Sequence, residues 1–142
     1  MASIHKEFVV NTQPEVVWAA FRDFGGVERL VPGFLTNCHL ENERGMTVRV
    51  VTFGDGRVAR EFLVSVDDAR KRLVYAEPGG RFVTRSAALQ VFAEGETASR
   101  VTWIIDLLPD EFGALMSTNM DKASVVMKRV LEAGTICPCQ DR

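Results

Sequence analysis

The spacing of hydrophobic positions changes twice along the chain, and the changes mark its elements. Ile4, Phe8 and Val10 share one parity within Ser3 to Val10, which predicts a first strand. Thr12 and Glu15 have the Thr-x-x-Glu spacing of a capping box, with Pro14 tolerated in a first helical turn. Val17, Phe21 and Phe24 then recur at helical spacing, predicting a short amphipathic helix over Pro14 to Arg22. Gly25 and Gly26 end it, and Val27 to Val31 supply one further turn. From Phe34 the period becomes two. Strands are predicted over Phe34 to Glu43, Met46 to Phe53, Arg57 to Asp67, Arg72 to Ala76, Val83 to Phe92 and Ser99 to Leu108. Polar or glycine-bearing turns separate them, among them the Asp55-Gly56 hairpin signal and the Pro78 to Gly80 loop. After Pro109 the spacing returns to threes and fours through Phe112, Leu115, Met116, Asn119, Ala123, Met127, Val130 and Leu131. A long helix is predicted over Glu111 to Ala133, with Asp110 as its N-cap and Gly134 as the left-handed residue that closes it.

This order predicts an α+β fold: an antiparallel sheet of about seven strands wrapped around one C-terminal helix, with two short helices after the first strand. A sheet of that size curls, and one helix in its concave face leaves room for a cavity between them. The candidate inward faces are Arg49, Val51 and Phe53; Ala59, Glu61, Leu63 and Ser65; and Ile104, Asp106 and Leu108. Each mixes apolar residues with one or two polar ones. Parity alone does not name the inner face, so the reversed assignment, with these polar groups in water, stays open.

Length and composition narrow the class. The 142 residues suit a single domain over 1–142, 46% hydrophobic and 25% charged. With 17 basic and 19 acidic residues the net charge is −2, which is no footprint for nucleic acid. No apolar run approaches the roughly 18 residues of a spanning helix, and Met1 to Lys6 lack a signal-peptide pattern, so a cytoplasmic protein with no membrane insertion is expected. The three cysteines, Cys38, Cys137 and Cys139, form no paired framework and fit a reducing compartment. His5 and His39 have no metal-ligand spacing, and the glycines form no phosphate loop. No metal and no cofactor are expected.

The segments 14–33, 45–56, 60–80 and 99–110 together resemble the helix-grip, START-like (SRPBCC) superfamily, and locally its polyketide cyclase/dehydratase branch, typically small bacterial proteins. The likeness runs from about Ile4 to Glu132. It implies a cavity for a lipid-like, aromatic or polyketide-like ligand. It also implies a gate at Gly54 to Gly56 and a latch at Pro78 to Arg81, where ordinary hairpin turns are the plainer reading. The position expected to carry a pocket tyrosine in many relatives holds Arg85.

Glu61 stands where such relatives place an inward glutamate. Burial would raise its pKa unless a cation such as Arg49 lay near. The pair could orient a ligand's polar end, form a purely structural bridge, or let Glu61 act as a general base. Asp106 is a second candidate base. Arg81, Asn119 and the soft face of Met116, Ala123 and Met127 complete the candidate ligand contacts. Three functions follow: a soluble binder of a small hydrophobic ligand, a cyclase- or dehydratase-type enzyme using a cavity carboxylate, or a protein-interaction module with a vestigial cavity. An edge strand or the long helix could serve a homodimer.

Overall fold

A computed structural model describes residues 2–134. Seven strands form one sheet: β1 (Ala2–Val10), β2 (Leu35–Glu43), β3 (Met46–Phe53), β4 (Val58–Asp67), β5 (Arg72–Pro78), β6 (Thr84–Glu94) and β7 (Ala98–Leu108). Their spatial order is β1-β7-β6-β5-β4-β3-β2, with every pairing antiparallel. Strands β2 to β7 are thus a meander, and β1 closes against the last of them. The connection from β1 to β2 carries α1 (Pro14–Arg22) and a 3₁₀ turn (Phe24–Arg29). A second 3₁₀ turn (Asp110–Phe112) leads into α2 (Gly113–Ala133), the long helix. The predicted α+β helix-grip architecture is observed.

The alternation explains the layers. On β7, Val101, Trp103, Ile105 and Leu107 are buried while the residues between them are not. On β6 the buried set is Arg85, Ala87, Leu89 and Val91. The apolar ones among them share one core with Val17, Trp18 and Phe21 of α1 and with Met120, Ala123, Met127 and Leu131 of α2. Polar clamps hold α2 beside β1: Lys6 Nζ lies 2.9 Å from Asp121 Oδ1, and Lys128 Nζ donates to the Val9 carbonyl at 2.7 Å. At the other side α1 is tied to the β4–β5 turn, where Asp68 accepts from Trp18 Nε1 (2.9 Å) and Arg22 Nε (2.7 Å).

Two helix starts differ from the sequence reading. Thr12 does not cap α1; Gln13 occupies the cap position with no side-chain bond, and the Thr12 hydroxyl donates to the Leu131 carbonyl at 3.2 Å. The hydroxyl is turned toward a tertiary partner instead of accepting from the first turn of α1. Asp110 does not cap α2 either, because the 3₁₀ turn intervenes and Phe112 stands at the cap position. Gly134 does close α2, at φ 66°. Strand β5 runs two residues past its predicted end, since Glu77 lies in register opposite Arg85 and bonds to it. Among the described residues no helix is long and apolar enough to cross a membrane. Cys137 and Cys139 lie outside the described residues.

Candidate ligand cavity

A cavity of about 130 Å³ lies between the concave face of the sheet, α2 and the 3₁₀ segment before β2. Its deeper wall is built from the inward parity of four neighbouring strands, β3 to β6, with β7 beyond them. Arg49 on β3 and Glu61 on β4 are direct cross-strand partners. Arg49 Nε donates to Glu61 Oε1 at 2.7 Å. Arg85 on β6 reaches over β5 and donates from Nη2 to Glu61 Oε2 at 2.5 Å, while its Nε donates to Glu77 Oε1 at 3.0 Å. All four side chains are buried. The result is an alternating Arg–Glu–Arg–Glu chain. The Arg49 guanidinium also stacks between Phe24 (4.1 Å) and Tyr75 (4.6 Å) and donates to the Phe24 carbonyl.

This geometry decides the charge of Glu61. Burial alone would push its carboxyl up, but the Arg49 and Arg85 guanidiniums outweigh that and hold it below the usual carboxylate range. Each oxygen already accepts from an arginine, so Glu61 is a paired anion and a weak base. Burial also works against the charge of Arg85, and Glu61 beside it more than restores it. Burial pushes the Tyr75 hydroxyl up, with Glu61 adding to the effect. The Trp103 indole N–H lies beside that hydroxyl and partly offsets the rise, yet Nε1 is buried without a partner in hydrogen-bond geometry.

The structure brings together most of the residues singled out from the sequence. Arg49, Val51, Phe53, Glu61 and Arg81 line the cavity from the sheet and its loops. Met116, Asn119, Ala123 and Met127 line it from α2. Ala59 and Leu63 share the inward face of β4 but fall outside the lining: Ala59 is a small buried residue opposite Val51, and Leu63 sits at the register shift between Leu63 and Ser65. Ile104, Asp106 and Leu108 are a correction. They occupy the outer face of β7, and Asp106 accepts a hydrogen bond from Ser3 on neighbouring β1. Both parities of β7 carry large aliphatic residues, so alternation gave no preference there. Asp106 therefore does not reach the cavity as a base.

Several lining residues were missed. Tyr75 and Glu77 line the cavity from β5, for which no inward face was proposed and whose expected end at Ala76 left Glu77 out. Trp103 lines the cavity with Ile105, on the parity opposite to the inward face expected for β7. Arg57 was assigned to a strand without a role. The position read as lacking a tyrosine holds Arg85, but Tyr75 presents a phenol from the adjacent strand. Among the described residues no group of three or more His, Cys, Asp or Glu side chains is placed to hold a metal ion.

A family model described as "Polyketide cyclase / dehydrase and lipid transport" matches residues 1–135. The chain belongs to this family. No curated protein matches it. Among solved structures, an uncharacterised protein from Bacillus thuringiensis is similar with a TM-score of 0.81 at 19% identity, covering 92% of this chain and 98% of its own. A Thermobifida fusca protein has a TM-score of 0.76 at 25% identity, covering 93% and 91%. The Zhui aromatase/cyclase from Streptomyces sp. R1128 has a TM-score of 0.73 at 14% identity, covering 93% and 92%. At that identity the last likeness concerns the fold.

Proposed function

We propose that this family member binds a small, mostly apolar molecule between its sheet and α2, as a carrier or sensor. The observation that carries this reading is a largely apolar cavity whose buried carboxylates are both engaged by arginine. Such a site orients a ligand and has no free base to transform it. The cavity is small: an apolar cavity of roughly 150 Å³ admits benzene. The bound part is thus about one ring or a short branched chain, unless the surrounding loops move. Mass spectrometry of the freshly purified native protein, followed by analysis of what denaturation releases, tests the proposal. A reproducible small molecule supports it. An empty protein that no apolar compound stabilises against heat overturns it in favour of an interaction module.

A cyclase-type reading comes second, and the unpartnered Trp103 N–H beside the Tyr75 hydroxyl favours it. Two buried donors of this kind can polarise a carbonyl. In that reading Tyr75 and Trp103 polarise the substrate carbonyl as donors, a different role from the general base assigned from sequence to Glu61 or Asp106. Tyr75→Phe would then lower turnover of a polyketide-like substrate by about tenfold or more with little change in affinity. Absence of turnover in the parent would leave the carrier reading.

A further inference from the structure

The charge around the cavity is unbalanced. Arg49, Arg57, Arg81 and Arg85 line it against Glu61 and Glu77 alone, in a chain whose net charge is negative. The two carboxylates are already consumed by Arg49 and Arg85. Among the described residues, Arg57 and Arg81 form no ion pair. Arg57 Nε is buried and unbonded. The nearest counter-charges to Arg57 are Asp55, whose Oδ1 already accepts from the Arg57 backbone N–H at 2.9 Å, and Glu77, held by Arg85.

Both guanidiniums line the same cavity and lie close enough to repel each other. Burial depresses the pKa of Arg57, and repulsion from Arg81 adds to it. Each has an aromatic ring behind it: Arg57 lies 4.0 Å from the Phe53 ring centroid and Arg81 5.2 Å from that of Phe112. Phe112 in turn packs edge-on against Phe82. Neither side chain makes a hydrogen bond among the described residues, and an arginine whose N–H groups are unspent can take a planar anion bidentately.

Resting on the binding function proposed above, we infer that the ligand carries a carboxylate, held between Arg57 and Arg81, with an apolar body of about one ring inside the cavity. A carboxylate there would replace a repulsion with two attractions. A neutral ligand of the same shape would leave the repulsion in place and gain only apolar burial.

Calorimetric titration with three probes tests this: 3-phenylpropionate, 3-phenylpropanol and 2-phenylethyl phosphate. They share an aromatic body and differ in the head group. The carboxylate is expected to bind about tenfold or more tighter than the alcohol at low salt, with the gap narrowing as salt rises. In the double variant Arg57→Gln, Arg81→Gln the gap should shrink to about twofold, through loss of affinity for the acid. Because the substitutions remove a repulsion, the thermal midpoint of the empty protein should not fall. Equal binding of acid and alcohol by the parent would overturn the carboxylate assignment and leave the cavity reading standing. Tighter binding of the phosphate would overturn the choice of carboxylate. Failure of all three probes to bind would count against both readings.

Discussion

Glu61 is held in place by what surrounds it more than by what it could do. Its two oxygens join arginines from strands on either side, and neither oxygen meets water freely. Replacing it with Gln would leave two buried guanidiniums with Glu77 as their only close carboxylate among the described residues. Removing one member of a buried charge network in this way costs about 3–5 kcal/mol, even where the intact network adds little net stability. Glu61→Gln should therefore lower the urea midpoint markedly. The pH dependence has a definite sign. The folded pKa lies below the unfolded value of about 4.3, so the contribution of Glu61 is complete above that pH and is lost as pH falls through the folded value. Thermal midpoints between pH 7 and pH 3 should show a steep acid limb in the parent and a shallower one in the variant. The Arg49–Glu61 half of this network was legible because both residues sit at matching inward positions on adjacent strands. The Arg85–Glu77 half was not. Glu77 follows an apolar run and precedes Pro78, which reads as a strand end, and only cross-strand register with Arg85 shows otherwise.

At the level of elements, the glycines of the β3–β4 loop separate into two physical roles. Gly56 has φ 91°, which the turn requires. Gly54 has no such need; a Cβ there would stand 2.7 Å from the Gly33 carbonyl oxygen. The Gly54 N–H donates to the Phe34 carbonyl at 2.9 Å, so this loop is pinned to the chain entering β2 by close backbone approach. Gly54→Ala should force the two segments apart at a cost of about 1–3 kcal/mol. Amide exchange over residues 53–57 and 33–35 should speed up together. Exchange changing in only one segment would mean that the contact does not couple them. For a gate the bond matters more than the flexibility of the glycine, since opening must break it. Alternation located the strands at this scale without naming their inner faces. On β3 the likeness at Glu61, with Arg49 at the matching position, pointed inward. On β7 nothing did, because Ile104, Ile105, Leu107 and Leu108 make both faces apolar. There the sheet neighbours decided the outcome, with Ser3 waiting beside Asp106 on the outer side.

For the molecule as a whole, element order was the most legible property, because six alternating segments between short helices and one long helix admit few compact arrangements. Cavity size was not legible, since it is the small difference between the space under a curled sheet and the volume of the side chains that enter it. Ala123 lies where that difference can be tested. It is 7% exposed, lies on the buried face of α2 and lines the cavity. In a close-packed core, enlarging a buried alanine to leucine strains its neighbours by about 1–3 kcal/mol. Here the added carbons would enter open space of about 130 Å³. Ala123→Leu should consequently change unfolding free energy by less than about 1 kcal/mol, because apolar burial offsets residual crowding. It should also weaken binding of 3-phenylpropionate by at least about tenfold, since the ring and the new side chain compete for the same volume. Arg57 and Arg81 are left intact, so a carboxylate without an apolar body, such as acetate, should interact with parent and variant alike. A variant that loses 1–3 kcal/mol of stability yet binds the phenyl probe as the parent does would show that Ala123 borders packed core and that the ligand body lies elsewhere. Stability retained with binding lost would establish the space beside Ala123 as the seat of the apolar body, with the two arginines acting on the head group alone.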